Sequence, residues 1–297
     1  MIKIGNCPDS WGVWFDSNDK QPDWHTYLDE VAEAGYVYTE TGSYGYMSPD
    51  PVELKAELDK RGLKAVASTL SYDLSSDELT DENIISVKKT CDRLTAIGGE
   101  YLIFYDALYT DLITDEQIAP KELDEESFER FCKNWRRLAA AIRSYGCKPV
   151  FHPHGGTHCE TEAQIDKMRS LIPKDELRFC FDTGHHIYVQ GNDVYEYTKK
   201  IGDQIDFLHL KDLVPEIKEE CWKNNIPYAT ATKKNVFAKI GYGQIDWRRY
   251  SEILKEIGFS GYAIIEHDCY PPVPGESFKI QKETGKYLES IGLGVLK

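Results

Sequence analysis

No block of clustered lysine and arginine occurs in this chain of 297 residues, whose formal charge is −15. A phosphate backbone is bound by clustered cations, so nucleic acid and anionic membrane are disfavoured as partners. The densest acidic run, Asp124-Glu125-Glu126, reads as the carboxylate-rich start of a helix. No apolar stretch reaches the roughly 20 residues that a spanning helix needs. The start, Met1-Ile2-Lys3-Ile4-Gly5, reads directly as a strand and not as a secretory signal. None of the eight cysteines forms a C-x-x-C pair, which disfavours a zinc ribbon. They are expected as buried free thiols in a reducing cytoplasm. A Gly-rich phosphate turn is also missing after the first strand, where the chain reads Cys7-Pro8-Asp9-Ser10-Trp11-Gly12. That absence argues against an open doubly wound dinucleotide fold.

What is present is alternation. Apolar residues make up 41% of the chain, enough for a substantial core. Strand patterns over Ile2–Cys7, Val37–Glu40, Leu63–Ser68, Tyr101–Tyr105, Pro149–His152, Leu177–Phe181, Ile205–Leu210 and Gly261–Glu266 are interleaved with helical ones. The clearest helix spans Asp124–Tyr145, where Phe128, Phe131, Trp135, Leu138 and Ile142 recur at spacings of three and four before Gly146. Eight strand-helix units without a composition break predict an α/β fold, a (β/α)8 TIM barrel, as a single domain over residues 1–297. Two long connections, near 106–123 and 213–244, exceed ordinary loop lengths and are candidate lids or partner contacts. The second reads as irregular.

The histidines carry the functional signal. Seven of eight lie between 152 and 267, most at the ends of apolar runs: Phe151-His152-Pro153-His154, Phe181-Asp182-Thr183-Gly184-His185-His186, Leu208-His209-Leu210-Lys211-Asp212 and Ile264-Ile265-Glu266-His267-Asp268. In a parallel barrel these tips converge on the carboxyl face, where chemistry takes place. A carboxylate at the end of a hydrophobic strand, such as Asp182, needs a partner. With His209 and Glu266 at matching depth, a divalent metal is the partner expected. His152 and His154 alternate along one strand and face the same side. Either can ligate while the other orients substrate. Lys211 lies two residues beyond His209 and can stabilise an oxyanion or relay a proton. His185 is placed at the start of a loop, within reach of substrate hydroxyls. Trp11, Glu40 and Tyr44 fall on the same rim, and Trp14 and Phe15 read equally as pocket wall or packing. His158 is expected at the surface and His186 in a structural role.

Taken together, Asp182-Thr183-Gly184-His185, His209-Leu210-Lys211-Asp212 and Glu266 resemble the xylose-isomerase-like TIM-barrel superfamily, which holds sugar isomerases, epimerases and type 2 AP endonucleases. His152-Pro153-His154-Gly155-Gly156-Thr157, Glu160-Thr161 and Gly241-Tyr242-Gly243-Gln244-Ile245-Asp246 are similar to the inosose dehydratase group within it. The resemblance implies one divalent cation (Mn2+, Co2+, Mg2+ or Zn2+) held by Asp182, His209, Glu266 and a fifth-strand residue, here His152. Catalysis is then expected from Glu266, His152 and Lys211, with Trp11, Glu40, His154 and His185, by their positions, against a small polyol or ketose. Epimerases of the superfamily carry Glu where this chain has His152, which turns the expectation from inversion toward dehydration, with sugar isomerisation or epimerisation as the alternative. An endonuclease would need histidines near the third and fourth strand ends, which read Val66-Ala67-Ser68-Thr69 and Phe104-Tyr105-Asp106. A non-catalytic sugar-binding barrel is the third reading, and a homo-oligomer is the assembly to test for.

Overall fold

The computed structural model describes residues 1–76, 79–190 and 193–297. Its ten strands are β1 (Ile2–Asn6), β2 (Tyr38–Ser43), β3 (Lys64–Tyr72), β4 (Tyr101–Asp106), β5 (Lys148–Phe151), β6 (Phe179–Asp182), β7 (Ile205–Leu210), β8 (Asp212–Leu213), β9 (Phe237–Ala238) and β10 (Gly261–Ile265). Eight of them close into a barrel in the order β1-β10-β7-β6-β5-β4-β3-β2. Every pairing in that barrel is parallel, with helices returning the chain between strands. This is the (β/α)8 architecture that the alternation predicts.

Side chains fill the barrel rather than leaving a pore. Val66, Ile103, Val150, Cys180, Phe207 and Ile264 point inward and form one apolar cluster. Lys3 closes the amino-terminal end over the rings of Tyr38 and Tyr262, at 5.5 and 4.8 Å. The outer faces of the strands pack on the helices. Helix Glu125–Ser144 shows why: Asp124 caps it by accepting from the Ser127 N–H, and its buried stripe includes Phe128, Phe131, Trp135, Leu138 and Ile142. Trp135 meets Phe151 of β5 edge-on at 5.2 Å. Truncating such a buried indole costs about 3–5 kcal/mol. No helix among the described residues is long and apolar enough to cross a membrane.

Three local expectations are corrected. The chain after Asp182 is helix Thr183–Gln190, not loop. Asp182 Oδ1 accepts from the N–H groups of Gly184 and His185 at 2.7 and 2.8 Å, so the strand-end carboxylate also satisfies orphan donors at the helix start. Segment 213–244 is ordered: helices Pro215–Lys223 and Tyr228–Lys233 lie between β8 and β9, which pair antiparallel. His158 is buried, not at the surface. Its Nδ1 is 2.6 Å from Asp106 Oδ2 and its Nε2 is 3.0 Å from the Pro120 carbonyl. Both partners are acceptors, so both ring nitrogens donate and the ring is an imidazolium.

That imidazolium fastens connection 106–123 to the barrel. Burial works against its charge, but Asp106 beside it raises the His158 pKa above the ordinary value. A raised folded-state pKa gives stability that is complete below the unfolded value and is lost as pH climbs through the folded one. His158→Gln should therefore cost about 1.5–3 kcal/mol at pH 6, the range for a charge-assisted hydrogen bond, and less at pH 9. Thermal melts at both pH values check this. An equal deficit at the two would show that the ring is not charged.

Candidate active site

The register of the strands brings four polar tips together. Asp182 of β6 sits opposite His209 of β7, and His209 sits opposite Ile264 of β10. Glu266 follows β10 with its N–H on the Leu210 carbonyl at 3.0 Å, and His152 follows β5 with its N–H on the Phe104 carbonyl at 2.7 Å. Each side chain offers one ligand atom, and the four atoms lie within 4.8 Å of one another.

Their hydrogen bonds leave one side of each group free. Asp182 uses Oδ1 on the helix start. His209 donates from Nε2 to Glu40 Oε1 at 2.8 Å. Glu266 accepts from Lys211 at Oε1, at 2.9 Å. What remains is His152 Nδ1, Asp182 Oδ2, His209 Nδ1 and Glu266 Oε2, all buried without a hydrogen-bond partner among the described residues. His209 Nδ1 closely abuts Glu266 Oε2 and lies 3.8 Å from Asp182 Oδ2. Orphaned buried acceptors are costly, and four converging on one point fit a cation. Two imidazoles and two carboxylates suit a divalent metal. Glu40 holds the far side of the His209 ring, as a carboxylate behind a ligating histidine would.

The electrostatics agree with that donor set. Burial, together with His209 and His154 nearby, pushes His152 well below its ordinary range, so its ring is neutral. Burial would raise Glu266, but Lys211 and His209 outweigh it and hold the carboxyl well below its usual value. Burial opposes a proton on His209, yet the anionic groups around it raise its pKa well above normal. A proton and a metal would therefore compete for the same imidazole.

Above the four lies a small cavity open to solvent. Its wall includes His152, His154, Glu40 and Glu266, as expected, and also Asp9, Asp268, Trp14, Tyr105 and Tyr228. Asp268 was legible as the residue two beyond Glu266, on the same side. Asp9 follows β1 in a short 3-10 turn, Pro8–Trp11, and Tyr228 comes from the 213–244 insertion; neither carried a sequence signal.

Four expected rim residues lie elsewhere. Trp11 is buried, donates from Nε1 to Glu30 at 2.6 Å and meets Tyr27 edge-on; the turn at Gly12 brings Trp14 to the cavity instead, stacked on Tyr270 at 4.9 Å. Tyr44 packs under the Arg93 guanidinium at 4.6 Å. His185 stands behind the wall, its ring 3.7 Å from that of His154 and its Nε2 2.8 Å from Lys211 Nζ. Lys211 is 0% exposed and bonded to Asp268 at 2.6 Å, so it acts beneath the wall as a counter-ion and not as an acid on substrate. A Cβ at Gly184 would come within 2.4 Å of Lys211 Cγ, so glycine makes room for that lysine.

Comparison with known proteins places this architecture. The profile of the xylose isomerase-like TIM barrel family matches residues 28–291. Inosose dehydratase of Lacticaseibacillus casei is 28% identical over 301 residues, covering 97% of each chain. Inosose dehydratase of Geobacillus kaustophilus is 29% identical over 95% of this chain and 93% of its own. Among solved structures, a probable 3-DHS dehydratase of Bacillus anthracis superposes with TM-score 0.73 at 14% identity, covering 97% of this chain and 98% of its own. D-allulose 3-epimerase of Methylomonas sp. superposes with TM-score 0.70 at 17% identity, covering 98% of both. At such identities the superpositions speak for the fold alone. With the profile spanning most of the barrel, the chain belongs to the xylose isomerase-like TIM barrel family.

Proposed function

We propose that this protein is a metal-dependent dehydratase acting on a neutral, polyhydroxylated cyclic ketone of the inosose class. The observation that carries the reading is the set of four orphaned ligand atoms at the floor of a small cavity. Full-length similarity to two inosose dehydratases supports the reaction class. His152, Asp182, His209 and Glu266 would hold the ion. A divalent cation there supplies Lewis acidity toward the oxygens of a hydroxyketone.

The residues provide the proton chemistry. Glu266 would remove the proton next to the carbonyl, with Lys211 holding its Oε1. The histidines are poor acids: burial and Lys211 push His154 down to about 3, and its Nδ1 proton is donated to the Gly155 carbonyl at 2.7 Å. Its Nε2 is left to accept from a substrate hydroxyl. Asp9 has no side-chain hydrogen bond or ion pair among the described residues, and enclosure together with Glu266 and Asp268 raises its carboxyl well above the usual range. In our reading Asp9 takes over the acid role expected of the histidines. It protonates the β-hydroxyl, whose C–O bond breaks to release water as the electron pair of the former C–H bond forms C=C. Among the described residues the wall carries four carboxylates, Asp9, Glu40, Glu266 and Asp268, and no lysine or arginine. A phosphate group would be repelled there, which favours uncharged polyols over sugar phosphates.

Incubation of metal-loaded protein with inosose in deuterated water tests the reading. Water loss is expected, without epimer formation. Asp9→Asn should lower the dehydration rate by about 10²–10⁴-fold, as expected for loss of a general acid, while exchange of the α-proton with solvent persists. Rapid epimerisation of free fructose or tagatose by the wild type would overturn the dehydratase assignment.

A further inference from the structure

A second cleft, of about 580 Å3 and open to solvent, lies between the two long connections. Tyr109, Asp115 and Lys121 come from one side, and Trp222 and Tyr228 from the other, with Glu160 between them. Glu160 belongs to the stretch that resembles the inosose dehydratase group, yet it takes no part in the site described above. Glu160 is 6% exposed and its carboxylate is already held: Oε2 accepts from the Gly156 N–H at 2.7 Å, and Oε1 accepts from the Tyr109 hydroxyl at 3.3 Å. The Trp222 indole is anchored by donation to the Tyr188 carbonyl at 2.6 Å, yet it remains 43% exposed. Asp115 adopts a left-handed backbone, φ 61°, with one carboxylate oxygen bonded to the Thr230 hydroxyl. Its other oxygen, Oδ1, is buried without a partner among the described residues.

This chemistry is selective. Fixed aromatic surfaces suit the C–H face of a saturated ring. An unpartnered carboxylate oxygen asks for a hydroxyl donor. Two carboxylates against one lysine leave the lining slightly anionic, which disfavours a phosphate or carboxylate ligand. The cleft also borders the active site directly. Tyr228 lines both, and its hydroxyl donates to Asp268 Oδ2 at 2.7 Å in the catalytic cavity. Beside it the partition is thin, because Gly156, at φ +88°, packs so closely that a Cβ there would sit 3.1 Å from Leu108.

We propose that the cleft is a second subsite for a neutral polyhydroxylated ring, occupied by a glycosyl group carried on the substrate. This deepens the dehydratase reading and rests on it: the ketone ring occupies the cavity and its glycosyl substituent lies across Tyr228.

Calorimetry on metal-loaded protein with two unreactive probes, myo-inositol and galactosyl-myo-inositol, tests this. The galactoside should bind at least tenfold more tightly. Trp222→Ala and Asp115→Ala should each erase that advantage and leave myo-inositol affinity and the turnover of free inosose unchanged, which also shows that the variants fold. Methyl galactoside alone serves as the second arm. Equal binding of the two inositol probes, an advantage that survives both variants, or a methyl galactoside affinity matching that of the galactosylinositol would each overturn the proposal. Failure of the wild type to dehydrate free inosose would instead count against the dehydratase reading, since the binding comparison needs no turnover.

Discussion

Asp182→Ala is expected to lose bound metal while the barrel stays folded. Asp182 Oδ2 is one of the four converging atoms; it has no hydrogen-bond partner among the described residues and lies 3.4 Å from the Lys211 ammonium. Residues that merely orient a metal ligand typically cost 10–100-fold in affinity when removed, so loss of a ligand should cost at least about a hundredfold. Alanine also deletes the Oδ1 acceptor for Gly184 and His185, a capping loss of about 1 kcal/mol. Asp182→Asn separates the two effects, because its amide oxygen can keep the cap while the charge is gone. Glu40→Gln, which weakens only the support behind His209, should fall in the milder range. Metal retention should also drop on acidification, because the proton that His209 takes up readily occupies the same nitrogen a metal needs. Elemental analysis after dialysis reads all of this. Wild-type metal content in Asp182→Ala would place the ion elsewhere.

The parts of this site that were legible share one property: they sit at fixed offsets from an apolar run. His152, Asp182, His209 and Glu266 each end a buried strand, and parallel pairing carries such ends to one face. Period two along a strand also placed Lys211 on the same side as His209. It could not say that Asp182, Glu266 and Asp268, arriving from two other strand ends, would surround the ammonium and remove it from the cavity. Asp9 and Trp14 depend on a left-handed turn at Gly12, φ 71°, and Tyr228 on a helix inside an insertion that has no periodicity of its own. His158 reads as a surface residue until Asp106, the last residue of β4, is seen beside it. Helix Thr183–Gln190 was hidden for a related reason. Its start is satisfied by a carboxylate that the sequence assigns to the metal, and Gly184 near its beginning reads as a breaker.

Lys211→Met should lower stability more than any other single change in the site. The ammonium lies 2.6 Å from Asp268, 2.9 Å from Glu266 and 3.4 Å from Asp182, and it is fully buried. Burial alone would favour the neutral amine, but those carboxylates raise its pKa well above the ordinary value, so it stays charged. Methionine fills the same volume and leaves the carboxylates without their counter-ion. Breaking a buried pair in this way costs about 3–5 kcal/mol, which at roughly 2–4 °C per kcal/mol is a fall of about 10 °C in Tm. The pH dependence fixes the cause. Lys211 helps hold Glu266 well below its usual range, and a depressed carboxyl contributes stability that is present above its unfolded pKa and lost as pH falls through the folded one. Without the ammonium that contribution is gone at neutral pH, and protonation of the crowded carboxylates relieves the repulsion. The difference in Tm between wild type and variant should therefore be largest near pH 7 and narrow toward pH 4–5. Added divalent cation should restore part of it at neutral pH, because in the proposed site a second positive centre would bind the same Glu266 and Asp182. A variant that melts with the wild type, or a deficit that is flat from pH 4 to 8, would mean that Lys211 is not the charge that holds these acids together.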